Sequence, residues 1–124
     1  MPDDLRARLE TICLALPEAT GRGDQQRTFQ VRGRTFAYLL DDHHGDGRIA
    51  PCCKAPPGEN AALVASDPGR FSLPSYVGPK GWVSLRLDLA EVDWDEVAEL
   101  VLDSYLLVAP RQLAALADRT GPTA

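Results

Sequence analysis

Residues 75–113, SYVGPKGWVSLRLDLAEVDWDEVAELVLDSYLLVAPRQL, spell out a loop, a strand and two helices in succession. The Gly- and Pro-rich opening, Ser75 to Gly81, carries a single cation, Lys80, and leads into Trp82. Val83, Leu85 and Leu87 then alternate with Ser84 and Arg86, the period-two pattern of a half-buried strand, so the three apolar residues are expected to face a core and Ser84 and Arg86 to face water. Asp93 with Glu96 three residues on has the spacing of a capping box. Val97, Leu100, Val101, Ser104, Tyr105 and Val108 recur on one helical face and predict the longest helix of the chain. Pro110, which cannot continue a helix interior, stops it and opens a last helix, RQLAALADR.

Upstream, Leu5, Leu9, Ile12, Cys13 and Leu16 predict a first helix over about 3–16, with Asp3 and Asp4 at its electropositive end and Pro17 closing it. EATGRGDQQ reads as a polar connector. Thr28, Phe29 and Val31, the tight turn Arg32-Gly33, and Thr35 to Leu40 read as a hairpin. DDHHGDG has the composition of a longer turn, returning as a third strand at Arg48 to Cys53. Pro51 lacks an amide hydrogen for a sheet ladder, so that strand is expected at an edge or to end there. ENAALVASD predicts a short helix stopped by Asp67-Pro68-Gly69, and Phe71 and Leu73 a short strand. The fold class is therefore α+β, an antiparallel sheet with helices packed mainly on one face.

A chain of 124 residues without a linker-like tract is expected to be one domain, 1–124. Its 44% hydrophobic and 25% charged residues suit a stable core. No apolar run approaches bilayer length, and MPDDLRARLE is acidic and amphipathic where a signal peptide is basic and then apolar, so no membrane and a cytoplasmic setting are expected. Three cysteines, two of them adjacent, do not form a disulfide framework, and Cys52-Cys53 lacks the spacer of a redox pair; inert thiols are expected.

The net charge of −5 opposes nonspecific attraction to a polyanion. It is unevenly spread. Residues 20–86 hold nine Arg and Lys against six Asp and Glu, whereas residues 88–119 hold two against eight. The nine are Arg22, Arg27, Arg32, Arg34, Arg48, Lys54, Arg70, Lys80 and Arg86. Arg32-Gly33-Arg34 at a hairpin tip and Lys80 in a glycine-bounded loop have the reach and small neighbours that phosphate contact needs; hairpin tips of this kind are also commonly just solvated. Glu91, Asp93, Asp95, Glu96, Glu99 and Asp103 form an acidic ridge that a solvated helix face explains. Asp41 to Arg48, with both histidines, is the obvious metal candidate, but its donors are too crowded for a zinc set and do not match a calcium loop, so a solvated turn is expected. Nucleophile-elbow, Walker and dinucleotide patterns are absent.

CLALPEAT, FQVRGRTFAYL, KAPPGENAALVASDPGRF, and YVGPKGW through DWDEVAELVLDSYLLVAP, in that order, resemble the MmcQ/YjbR family of small bacterial proteins. The resemblance implies a fold likened to frataxin or a double wing, and a DNA-binding label given on grounds of shape. Relatives in that family carry a similar HGDGR turn. Many members place two or more lysines before the Trp, where this chain has Lys80 alone. The leading expectation is a DNA-binding or regulatory protein that contacts phosphates through Arg32, Arg34, Arg48, Lys80 and Arg86. The alternative is a module for a small anionic ligand or a protein partner, its pocket between sheet and Gly-rich loops and lined by Arg48, Arg86, Tyr76 and Trp82. An enzyme would have to rest on His43, His44 and Asp46. No enzyme, cofactor or metal is expected, and the oligomeric state stays open.

Overall fold

In the computed structural model, which describes residues 2–23, 27–41, 48–89 and 91–120, the chain begins α1 (Pro2–Leu14), β1 (Thr20–Arg22), β2 (Thr28–Val31), β3 (Arg34–Asp41) and β4 (Ile49–Lys54). It continues through α2 (Glu59–Ser66), β5 (Phe71–Ser72), a 3-10 turn (Gly78–Lys80), β6 (Trp82–Leu85), α3 (Trp94–Val108) and α4 (Arg111–Thr120). The strands make one antiparallel sheet in the order β1-β2-β3-β4-β6-β5. The fold is α+β, as the hydrophobic periods imply. No helix among the described residues is long and apolar enough to cross a membrane.

Register sorts the sheet into two faces. Phe29, Ala37, Cys53 and Val83 lie in one row across four strands, and Leu85 and Phe71 pair alongside. All six are buried, with Leu9 and Cys13 of α1, Val97, Leu100, Val101 and Tyr105 of α3, and Leu113 and Ala117 of α4 in the same core. Each large apolar side chain so buried contributes about 1.5–3 kcal/mol. The other face carries the row Thr28, Tyr38, Cys52, Ser84 and Ser72, with the Tyr38 and Trp82 rings 5.5 Å apart beside it.

Arg32 (φ 50°) and Gly33 (φ 80°) join β2 to β3 in a two-residue turn with both central residues left-handed, the geometry whose twist matches a hairpin. Phe29 pairs with Ala37 but Gln30 with Thr35, so Phe36 is the extra residue of a β-bulge. The bulge brings Phe36 into the core with Ala37, where its ring meets Tyr105 edge-on at 5.4 Å.

Four sequence expectations are corrected. Pro51 sits in an interior strand, opposite Leu39. Leu39 turns its amide to Arg27 of the β2 side, so no β3 bond is forfeited, and the β6 pairing begins only at Cys52. Ser84 is buried, because β5 lies beside β6 and sets Ser72 opposite it, their hydroxyls 2.6 Å apart. The connector after Pro17 contains β1, a strand with no apolar alternation that pairs with β2. Asp93 caps α3 through the amides of Asp95 and Glu96, but Glu96 does not return the bond; its carboxylate pairs with Arg70 at 2.5 Å.

Candidate functional site

The loop between β5 and β6 is fixed from below by Asn60 in the first turn of α2. Its buried amide donates to the carbonyls of Gly78 (2.9 Å) and Trp82 (3.1 Å), while its Oδ1 accepts from Ala61 N–H (2.8 Å). Ala55 N–H donates to Gly81 O at 2.9 Å, and Gly81 takes φ 98° where an added Cβ would come 3.3 Å from Ala55 O, so this turn favours glycine on two counts. Tyr76, by contrast, holds φ 68° with a side chain and is 94% exposed. A non-glycine residue there costs about 1–2 kcal/mol. The Tyr76 ring stands in solvent, while Trp82 packs on Tyr38.

Between this loop, α2 and α3 lies a cleft of about 650 Å³. Lys54 and Lys80 line it together with the apolar walls Ala55, Pro57, Leu73 and Leu107. None of Arg48, Arg86, Tyr76 or Trp82, the residues the sequence offered for a ligand pocket, lines it. Lys54 was legible as one of nine cations and no more. Its approach to the cleft follows from its pairing with Trp82, a register the sequence does not print.

The remaining cations divide by partner. Arg32 makes a two-pronged ion pair with Glu18 (2.6 and 2.9 Å), Arg27 binds Glu10 (2.8 Å), Arg70 bridges Asp67 and Glu96, and Arg86 binds Asp88 (2.5 Å). Arg34, Lys54 and Lys80 make no ion pair among the described residues. Arg32 and Arg34 line a smaller hollow of about 270 Å³ against Val108, Ala109 and Pro110, where the electronegative end of α3 suits their charge. Arg48 is exposed, next to residues 42–47; His43, His44 and Asp46 lie outside the described residues. Among the described residues no group of three His, Cys, Asp or Glu is gathered to hold a metal ion.

The ion pairs set an acid limb. The Arg86 guanidinium bonded to Asp88, and Arg70 bonded to Asp67, hold both carboxyls below their ordinary range. A folded value below the unfolded one contributes stability in full above the unfolded value, about pH 3.9 for Asp, which is lost as pH falls through the folded value. Asp103 shifts the other way, raised by burial first and by Glu59 second, so its share runs opposite in sign. Thermal melts from pH 6 to pH 2 are expected to show stability falling below about pH 4. Asp88→Asn should flatten that fall, and an unchanged slope would remove the Arg86 pair as its source.

The family model YjbR matches residues 14–107, most of the chain. The chain belongs to the YjbR family. A crystal structure similar to this YjbR-family chain is that of Deinococcus radiodurans protein DR2400, which carries a DUF419 domain. It is 25% identical over 84% of this chain and 78% of that one, with a TM-score of 0.69. No curated protein matches the chain.

Proposed function

We propose that this YjbR-family chain is a non-enzymatic regulatory module of the cytoplasm that contacts nucleic-acid phosphates through two exposed glycine turns. The observation that carries the reading is one loop: an exposed Lys80, without an ion pair among the described residues, four residues from a tyrosine ring that is 94% exposed on a left-handed backbone. Backbone strain held at an exposed aromatic favours a role for the ring, and ammonium with aromatic is the pairing that single strands and frayed ends recruit. Arg34, exposed beside Gly33 and without an ion pair among the described residues, supplies a second turn. Arg32 and Arg86 contribute less than the sequence suggested, since Glu18 and Asp88 already neutralise them. With a net charge of −5, affinity is modest and set by salt.

Two further features fit the absence of an enzymatic role and a reducing compartment. Cys13, Cys52 and Cys53 are free and buried. Burial pushes all three thiols up, Cys52 to about 12, so they stay protonated and are poor nucleophiles.

The test is titration of a fluorescent 20-base-pair duplex and a 20-nucleotide single strand at about 50 and 200 mM salt. Two phosphate contacts predict roughly a tenfold loss of affinity across that range. Arg34→Glu with Lys80→Glu should abolish binding to both probes, and Tyr76→Ala should weaken the single strand selectively. Absence of binding at the lower salt, or binding indifferent to both charge reversals, refutes the reading.

A further inference from the structure

We infer that the cleft between α2, the Gly78–Gly81 turn and α3 is a binding site for a small molecule carrying an anionic head on an apolar body. Its volume of about 650 Å³ falls within the range of sites that enclose small ligands. Leu73, Leu107, Pro57 and Ala55 offer apolar walls, and Leu73 and Leu107 are large side chains left exposed there. Such surface is unfavourable in water and is relieved by an apolar occupant. Among the described residues the two lysines at the cleft have no carboxylate within ion-pairing distance, whereas Arg27, Arg32, Arg70 and Arg86 each do. An arriving anion therefore displaces no existing pair.

The polar groups of the cleft restrict the ligand further. Asn60 has both ends of its amide engaged with the main chain, and no buried side-chain nitrogen or oxygen among the described residues lacks a partner. Recognition then falls to the ammonium groups, which are point charges without the planar fork of arginine, so carboxylate and phosphate heads are both admitted. Glu59, beside the lining residue Gly58, lies close enough to Asp103 to help raise its carboxyl, second to burial. Glu59, next in sequence to a lining residue, disfavours an anion at the α2 side and so directs the head toward Lys54 and Lys80. Lys80 is shared with the proposed nucleic-acid contacts but Lys54 is not, so the site stands or falls without that reading.

Titration calorimetry on the full chain with octanoate, octyl phosphate, octanol and inorganic phosphate tests the assignment. One or both anionic octyl compounds should bind, with octanol and inorganic phosphate at least about tenfold weaker, and the ranking of octanoate against octyl phosphate names the preferred head. Lys54→Ala alone should weaken the anionic compounds while leaving nucleic-acid titrations unchanged, and with Lys80→Ala the loss should reach about tenfold or more. Leu107→Ser should weaken both octyl anions together. Glu59→Gln should tighten anion binding by a few-fold, a gain that misfolding does not produce. Octanol binding as well as octanoate, undiminished binding in the double lysine variant, or no binding of either octyl anion at millimolar concentration overturns the assignment.

Discussion

Replacing Tyr105 by alanine is expected to remove ~4–5 kcal/mol of stability and to lower Tm by about 15–20 °C. Tyr105 heads the largest fully buried side chains, on the face of α3 that meets the sheet. Its ring packs edge-on against Phe36, the bulged residue of β3, at an interplanar angle of 83°. Its hydroxyl donates to Pro17 O at 2.6 Å, closing the turn that follows α1. That turn continues into Glu18, at φ 56°, the residue that holds Arg32 of the hairpin. One side chain thus joins α3, the sheet and the chain entry to β1. Tyr105→Phe separates the two contributions: it keeps the ring and loses one hydrogen bond, so about 1 kcal/mol is expected. Equilibrium denaturation of the two variants checks both values. A Tyr105→Ala loss no larger than that of Tyr105→Phe would show that ring packing contributes little.

The part Tyr105 plays was half legible. Its place on the apolar face of the helix follows from the spacing Val97, Leu100, Val101, Ser104, Tyr105, since residues three and four apart share a face. Its partners were not, because Phe36 reaches the core only through a bulge, and a bulge is fixed by pairing with a strand elsewhere. Pro51 and β1 failed for the same reason. Proline argues for an edge only while its neighbours' hydrogen bonds are unknown, and here Leu39 had already turned away. Thr20–Arg22 has no alternation to read, and its strand exists because β2 offers it a partner.

For the candidate site, local chemistry was legible and convergence was not. The turn residues Gly33 and Gly81 mark where the backbone goes left-handed, and Lys80 was visible between glycine and proline. Charge state was less so. Arg32 and Arg34 look alike in sequence, yet a residue fourteen positions upstream neutralises one and leaves the other free. Lys54 sits in a strand, where nothing local distinguishes it from a solvated cation. Only its row in the sheet and the α2 to β6 clamp through Asn60 bring it to the same cleft as Lys80.

Ser104→Ala is expected to lower stability by ~2–4 kcal/mol, far more than the loss of one oxygen atom suggests, and Tm by about 8–15 °C. The β3–β4 pairing stops at Ala37 with Cys53, so the next main-chain groups, Phe36 C=O and Lys54 N–H, have no ladder partner there. The fully buried Ser104 hydroxyl stands between them, donating to Phe36 O (2.5 Å) and accepting from Lys54 N–H (2.8 Å). Deleting it orphans a donor and an acceptor at once, each costing about 1–3 kcal/mol when buried. Ser104→Val discriminates this account from simple loss of packing. A valine refills the space but satisfies neither group, so it should be as damaging as alanine; recovery toward wild type would show that volume was the cause. Amide hydrogen exchange gives a second readout, since Lys54 N–H should lose protection in either variant while Cys53, inside the ladder, keeps it. Because Lys54 is also a cleft residue, the same variants should weaken anionic octyl compounds even at temperatures where the chain remains folded.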